Sequence, residues 1–251
     1  PGLDLYAQYA HGFRAPPYAE ANISLEIPFF NYRAIPNPAL TSESSDSIDV
    51  GLRYANPAVD AHLSVFHSRY TDFIESKVNV GVDPVSGRTL FQSQNLDSTT
   101  ISGVEAGIAV RFGTERWPFE FRAAAFHARG ENRETGEPLN SLGPAEAVLQ
   151  LGWQSPDRRR ELSLSSTLTD AWDARDETRG LLFKPPGHAV FDLYLTQALG
   201  DSARLRAAVH NLGDRTYWHW ADIRGLAPDD PLVPTLSRAG RSISVGLDVT
   251  W

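Results

Sequence analysis

The feature that most constrains the fold of this chain is an alternation of apolar and polar residues that recurs from one end to the other. In the last stretch, for example, every second residue from Ile243 to Trp251 is apolar, and the residues between them are small or polar. A period of two residues is typical of β-strands with one apolar face. The pattern predicts an all-β chain with ten strands: Leu3–Phe13, Ser47–Ala55, Val59–Tyr70, Ser102–Gly113, Pro118–Ala128, Ala145–Trp153, Arg160–Thr169, His188–Leu199, Ala203–Asn211 and Arg241–Trp251.

The lengths of these segments and of their connections favour one kind of β-protein. The segments are nine to twelve residues long, whereas strands of globular proteins average about five or six residues. The connections alternate between long and short, which is typical of outer-membrane barrels with long extracellular loops and short periplasmic turns. We therefore predict a transmembrane antiparallel up-and-down β-barrel. A soluble β-sandwich binding module is the alternative from another class, and the lack of a long apolar run excludes a helical membrane protein.

Composition and motifs exclude several functions. The net charge of −8 at pH 7 argues against a nucleic-acid partner, because phosphate binding needs a basic face. The chain has no cysteine, which excludes disulfides and thiol chemistry. Neither a Gly-x-Ser-x-Gly nor a His-Glu-x-x-His motif is present, so we do not expect an enzyme. Because the chain starts at Pro1 and contains no methionine, we expect it to be a piece of a longer protein.

The two faces of the predicted strands differ in character. The polar face is expected to form a solvated lumen wall, and it carries Asp60, Glu105, Arg111, Glu120, Arg122, Asp192, Arg204 and Arg206. Aromatic girdles are expected at the membrane interfaces, with Tyr54, Trp117, Phe119, Trp153 and Trp251 near the short turns and Trp172 at the long-loop end. Contacts with headgroups or lumen explain the strand histidines, which are His11, His62, His67 and His127.

The first long connection, Gly12–Thr41, is the main candidate for a binding loop. Its five prolines restrict the backbone and argue against a helix, and aromatic residues lie between them. Long loops inside compact domains are usually functional or disordered. Aromatics held in few conformations would suit stacking on a flat ligand, whereas the alternative is a loop that packs only on itself.

Two boxes flank this loop, Phe13-Arg14-Ala15-Pro16 and Asn37-Pro38-Ala39-Leu40. With them, the chain resembles the TonB-dependent outer-membrane receptors, specifically the haem, haemoglobin and transferrin branch with its FRAP and NPNL boxes. Further stretches similar to the family are Tyr70–Ile74, Ile101–Glu105 and Asn211–Trp218.

The resemblance implies that residues 1–251 are the C-terminal ten strands of a 22-stranded plugged barrel in the outer membrane of a Gram-negative bacterium. The plug and the earlier strands would then lie outside this chain. The implied partners are the TonB complex, through an N-terminal region, the outer-membrane lipid, and the barrel-assembly machinery, which reads the terminal alternation.

The resemblance also implies a cargo, which is haem or haem from a host carrier protein, with no tightly bound cofactor. Many haem receptors have an iron-ligating histidine between the two boxes, but this chain has none there. Tyr32 or Tyr18 is therefore the expected iron ligand, and Arg33 is expected to pair with a propionate. The expected ligand-binding residues are Tyr18, Phe29, Phe30, Tyr32, Arg33, Trp218, His219 and Trp220. The alternative for Trp218, His219 and Trp220 is an aromatic cluster at the outer membrane interface. The alternative cargoes for the receptor are a ferric siderophore, cobalamin or a glycan.

Overall fold

The computed structural model describes residues 2–173, 175–178 and 180–251. Its strands are β1 (Gly2–Arg14), β2 (Leu25–Ile27), β3 (Tyr32–Ala34), β4 (Glu43–Ala55), β5 (Val59–Val82), β6 (Thr89–Thr114), β7 (Trp117–Asn132), β8 (Glu146–Gln154), β9 (Arg160–Thr169), β10 (His188–Leu199), β11 (Ala203–His210) and β12 (Ser242–Val249). The path through the sheet is β1-β4-β5-β6-β7-β8-β9-β10-β11-β12, and neighbours along it are antiparallel. The ten predicted strands and their up-and-down order are thus confirmed.

The register keeps one face of the sheet apolar across many strands. Leu5 lies opposite Leu52, Leu52 opposite Leu63, and Leu63 opposite Ala106. These side chains stay accessible on the surface of the sheet, since Leu5, Leu63 and Leu52 are 76%, 47% and 36% exposed. A continuous exposed apolar face of this size needs a non-aqueous environment. Lipid provides that environment for the outward-facing residues of a membrane β-barrel.

The opposite face carries the charged residues that we predicted for the lumen. Asp60 and Arg122 lie in one cross-strand row. In the neighbouring row, Glu120 forms an ion pair with Arg111, and it also pairs with Arg122 of the first row. The register therefore places the charges on the side of the sheet that does not meet lipid.

Aromatic side chains on this inner face lie over glycines of the neighbouring strand. A Cβ atom added to Gly51 would be 2.3 Å from the ring of Tyr6, and one added to Gly103 would be 2.5 Å from the ring of Phe66. The missing side chains make room for the rings, so a shift in strand register would remove these contacts.

The predicted girdle near the short turns is present. Trp117 and Trp153 have ring centroids 5.7 Å apart, and Phe112 stacks on Phe119 at 5.6 Å. The prediction for Trp172 was wrong, because this residue is 5% exposed and packs inside a cluster of loop residues. A single Trp at the end of a strand cannot be assigned to lipid or to a loop core from sequence alone.

β5 and β6 are much longer than predicted, with 24 and 26 residues. Together they form an arm that rises beyond the membrane on the side of the long loops. The pairing is irregular between Glu75 and Val78 and between Asn79 and Gly81. These irregularities interrupt the alternation of apolar and polar residues, so the sequence pattern did not predict the arm. The arm turns at Asp83, whose Oδ1 accepts hydrogen bonds from the backbone N–H groups of Val85 and Ser86.

The expectation that no helix occurs in the first loop was also wrong. A one-turn helix, α1 (Tyr18–Asn22), follows Pro17, and a 3₁₀ turn covers Pro28–Phe30. Proline lacks an N–H group but fits the first turn of a helix, so these prolines start short helices and prevent only longer ones. β3 then pairs in parallel with the arm strand β6.

The other long loops share an apolar core. It contains Trp172 and Leu182 from one loop, and Trp220, Ile223, Leu226, Leu232 and Val233 from the last loop, which includes α2 (Trp220–Ile223). Leu142 from a third loop packs against it. Within the described ranges, neither helix has the length and apolar character needed to cross a membrane.

Candidate functional site

The base of the first loop is held by Arg14. Its Nε and Nη2 atoms donate to the two carboxylate oxygens of Glu43 at 2.8 and 2.9 Å. Glu43 is 8% exposed and also accepts a hydrogen bond from the backbone N–H of Ile74 at 2.8 Å. Arg14 therefore joins β1, β4 and the arm, and its role is to fix the loop.

The second box fixes the other end of the loop. The Asn37 side chain donates to the carbonyl of Ser93 at 2.9 Å and accepts from the backbone N–H of Ala39 at 3.1 Å. Its own N–H donates to the carbonyl of Glu20 at 3.0 Å. Phe13, by contrast, is 73% exposed, and Ala15, Pro16, Pro38 and Leu40 complete the two boxes. Arg14 and Asn37, the polar residues of the two boxes, thus hold the two ends of the loop in place.

Tyr32 is the best placed of the candidate ligands in this loop. One face of its ring stacks on Phe91, with centroids 4.9 Å apart and an interplanar angle of 20°. Its hydroxyl makes no hydrogen bond to the described part of the chain. Burial raises the pKa of the Tyr32 hydroxyl, while the charge of Arg224 acts in the opposite direction.

Arg33 is engaged within the protein. It forms an ion pair with Asp83 at the turn of the arm, while its Nε is buried without a hydrogen-bond partner in the described ranges. A propionate of a ligand would therefore have to compete with the Asp83 carboxylate. The ion pair with Asp83 therefore weakens the prediction that Arg33 pairs with a propionate.

The remaining aromatics of the loop are accessible. Tyr18 is 74% exposed and Phe29 is 78% exposed. Phe30 packs edge to face on Phe29 with ring centroids 5.1 Å apart. Phe29 and Phe30 thus form one accessible aromatic pair, and Tyr18 is a separate exposed ring on α1.

The structure separates the three members of Trp218-His219-Trp220. Trp220 is 6% exposed, and its Nε1 donates to the carbonyl of Asn140 at 2.8 Å. Trp218 donates to the carbonyl of Val233 at 2.6 Å. Both tryptophans therefore support the loop core. His219 is exposed, and its Nδ1 lies 2.6 Å from Nη2 of Arg238, which donates to it.

The last loop and the first loop meet on the arm at Phe91. Gly225 lies so close to this ring that an added Cβ atom would be 2.7 Å from Phe91 Cε1. The Gly225 carbonyl accepts a hydrogen bond from Asn79 Nδ2 at 3.4 Å. Phe91 is thus packed by Tyr32 and by Gly225, so the two segments predicted to bind ligand are mechanically connected.

Sequence reasoning missed a buried pair that anchors the last loop. Arg224 Nη1 lies 4.0 Å from Glu75 Oε1, and Arg224 also donates to Ser76 Oγ at 3.2 Å. Ser141 Oγ donates to Glu75 Oε2 at 2.6 Å. Burial raises the pKa of the Glu75 carboxyl. The two residues lie 149 positions apart in the sequence, and only the interrupted alternation near Glu75 hinted at a special site.

This pair lines a cleft of about 590 Å³ between the arm and the long loops. The other charged residues of its lining are Lys77, Glu137, Asp176 and Asp229. The volume lies within the usual range for small-molecule sites. The arm, the first loop and the loop core therefore form one extracellular surface with a cleft beside it.

Comparison with curated proteins finds relatives named for the use or binding of haemoglobin and haemoglobin-haptoglobin. The hemoglobin-haptoglobin utilization protein B of Neisseria meningitidis serogroup C is 28% identical over 253 residues, covering 89% of this chain and 31% of that protein. The hemoglobin and hemoglobin-haptoglobin-binding protein A of Haemophilus influenzae is 26% identical over 246 residues, covering 90% of this chain and 22% of that protein. The chain thus spans a third or less of the length of these relatives.

Solved structures share the fold. The copper transporter OprC superposes with a TM-score of 0.78 at 20% identity, covering 99% of this chain and 37% of that one. The ferric enterobactin receptor PfeA of Pseudomonas aeruginosa, in complex with enterobactin, gives a TM-score of 0.70 at 20% identity, covering 98% and 38%. The family model described as TonB dependent receptor-like, beta-barrel matches residues 1–212. The chain therefore belongs to the TonB-dependent receptor β-barrel family, whose members are outer-membrane receptors and not enzymes.

Proposed function

We propose that this chain is part of an outer-membrane receptor for TonB-dependent uptake of haem, taken directly or from a haemoglobin-type carrier protein. The observation that carries the proposal is the similarity to proteins named for haemoglobin and hemoglobin-haptoglobin, at 28% and 26% identity over about nine-tenths of the chain. The solved neighbours named for copper and enterobactin are less similar in sequence, at 20%.

The extracellular surface supports a planar aromatic cargo. Phe29 and Tyr18 are exposed on a loop that Arg14 and Asn37 hold in place. A loop that is already ordered loses little conformational entropy when a ligand binds. Tyr32 adds a hydroxyl with no partner in the described chain, backed by the ring of Phe91. A tyrosine oxygen can ligate haem iron, so Tyr32 is the preferred ligand, followed by Tyr18.

Transport would involve parts of the receptor beyond the surface described above. The charged inner face, with Arg111, Glu120 and Arg122 in ionic contact, suits a plug that fills the lumen. The TonB complex would act on the plug, and the exposed extracellular aromatics would meet the carrier protein.

The test is a titration of the purified receptor with haemin, followed by visible absorption. Wild type is compared with Tyr32→Phe, Tyr18→Phe and His219→Ala. Tyr54→Phe, at the periplasmic end, is the matched control for loss of a phenol hydroxyl. We expect saturable binding with a Soret shift in wild type and in Tyr54→Phe, and a weakened, blue-shifted or lost Soret signature in Tyr32→Phe.

Each other outcome has a defined meaning. Binding that is reduced only by Tyr18→Phe or only by His219→Ala would move the iron ligand to that residue and refute the role of Tyr32. Binding that is indifferent to all three would place ligation elsewhere in the receptor. No saturable binding, even with haemoglobin as donor, would refute haem as cargo and favour a ferric siderophore, cobalamin or a glycan.

A further inference from the structure

The cleft of about 590 Å³ between the arm and the long loops has a polar floor with unused hydrogen-bonding atoms. Glu75 is 6% exposed, and its Oε2 accepts from Ser141 Oγ at 2.6 Å. Its Oε1 has no hydrogen-bond partner in the described part of the chain. Arg224 donates to Ser76 Oγ at 3.2 Å, but its Nε is buried without a partner among the described residues. The floor therefore presents one acceptor and one donor to the cleft.

Glu75 and Arg224 are too far apart to satisfy each other. Arg224 Nη1 and Glu75 Oε1 are 4.0 Å apart, which is beyond hydrogen-bond distance. An oxygen atom about 2.8 Å from each of them fits across this gap. Because buried polar groups are normally hydrogen-bonded, we expect a group from outside the described chain to bridge the two side chains.

A hydroxyl group matches both positions, because it can donate to Glu75 and accept from Arg224. Burial raises the pKa of the Glu75 carboxyl and lowers the pKa of the Arg224 guanidinium. A hydroxyl can pair with the carboxyl in either protonation state. An ammonium group only donates, so it would leave Arg224 Nε without an acceptor, and a carboxylate or phosphate only accepts, so it would leave an ionised Glu75 unpaired.

The charges above the floor also disfavour an anionic ligand. Among the described residues of the lining, Glu137, Asp176 and Asp229 add three carboxylates, whereas Lys77 adds one cation. An anion in the cleft would therefore face like charges, and a cation would meet Arg224 at the floor. The lining thus favours a neutral ligand.

The walls of the cleft add apolar contacts. Leu96, Leu139 and Leu182 line it, and the last two are 2% and 9% exposed. Exposed polar residues, such as Thr135 and Asp229, also belong to the lining. Ligand sites typically combine an apolar lining with a few polar groups that fix the orientation of the ligand. A sugar ring suits this lining, because it carries C–H groups on its faces and hydroxyl groups along its edge.

We propose that this cleft binds a neutral sugar unit of a glycan, with one sugar hydroxyl lying between Glu75 and Arg224. The glycan is either a free oligosaccharide or a chain attached to a protein, because both present the same hydroxyl groups to a cleft on the extracellular side. The proposal goes beyond uptake of the cargo, since it concerns a second ligand and holds whichever cargo crosses the membrane.

The test uses the full-length receptor, purified in detergent and applied to an array of neutral, sialylated, sulfated and amino-sugar glycans. The Kd of the best neutral glycan is then measured by calorimetry with the free oligosaccharide. Ala227→Trp narrows the cleft without changing its floor, and Ala221→Trp is the matched control, because Ala221 is exposed in the same loop but does not line the cleft.

A second variant, Glu75→Leu with Arg224→Met, removes both polar groups of the floor. Replacement of a buried ion pair by apolar residues of similar size often preserves stability. Hydrogen exchange at Leu182, which belongs to the core of the long loops, verifies in every variant that the loops remain docked.

We expect wild type to prefer neutral glycans, and Ala221→Trp to bind like wild type. Ala227→Trp and the double variant should each bind at least about tenfold more weakly. The proposal is overturned if wild type binds no neutral glycan, if it prefers charged ones, or if either docked variant binds like wild type.

The source of the sugar is identified with a glycoprotein that displays the best glycan, titrated before and after enzymatic deglycosylation. Binding that is lost on deglycosylation supports the proposal with a protein-attached glycan as the source. Binding of the free oligosaccharide alone supports it with a free sugar as the source.

Discussion

Replacement of Arg14 by leucine tests whether the first box holds the loop. In the structure, Arg14 donates to both carboxylate oxygens of Glu43, one of which also accepts from the Ile74 N–H. Leucine removes both donors and leaves the Glu43 carboxylate, with its side chain 11% exposed, without a counter-charge. We expect the loop to stay attached at Asn37 but to open more often at its Arg14 end.

The size of the effect follows from the burial of the two partners. Breaking a buried ion pair by removing one member costs about 3–5 kcal/mol. The Arg14 side chain is 48% exposed, so water screens part of the interaction, and we expect about 2 kcal/mol. That corresponds to an increase of about 30-fold in the opening constant. Arg14→Lys keeps the charge but cannot bind both oxygens, so its effect should be smaller.

Hydrogen–deuterium exchange of the receptor in detergent measures this opening directly. The peptide that contains Ile74 should exchange about 30-fold faster in Arg14→Leu, whereas peptides of β8 and β9 should not change. If the Ile74 amide keeps its wild-type protection, or if Arg14→Lys is as damaging as Arg14→Leu, the bidentate anchor does not hold the loop.

Two further predictions concern the last loop. Burial raises the pKa of the Glu75 carboxyl above its ordinary value of 4.5. The stabilisation from the protonated carboxyl is therefore complete below pH 4.5, and it is lost as the pH rises through the raised pKa of the folded state. Exchange of residues 220–226, corrected for intrinsic rate, should therefore become faster as pH rises, and Glu75→Gln should abolish the trend; a trend that persists in the variant would contradict it. Gly225→Ala should destabilise the docked loop by about 1–3 kcal/mol, because φ is 85° and the new Cβ would meet Phe91. Unchanged Trp fluorescence and exchange in that variant would refute the contact.

The barrel wall could be predicted from sequence because a single physical rule governs it. One face of each strand contacts lipid and the other faces the lumen. The alternation around Ile48 or Val245 is therefore sufficient to predict the strand and its two faces. The arm lies outside the membrane, where neither face must be apolar, and the alternation stops near Tyr70 although β5 continues to Val82. The ends of β5 and β6 were therefore not predictable by the same rule.

The candidate site was predicted only in part, because its contacts are long-range. The two boxes correctly marked the ends of the first loop, but Arg14 and Asn37 act on the backbone of the arm. Local patterns also could not tell that Trp220 is buried while its neighbour His219 is exposed. Glu75 and Arg224 come together only after the sheet has formed. Which residues touch the cargo remains a prediction.

The shared apolar core of the long loops limits how such a receptor can vary at the cell surface. Trp172 and Leu182 from one loop and Trp220 from the last loop fill one space, so a change of volume in one loop requires a matching change in the other. Exposed positions such as Val85 and Leu181, which are 94% and 71% exposed, carry no such constraint. Substitutions at such loop tips can therefore accumulate one at a time, whereas the loops themselves can be exchanged only as a set.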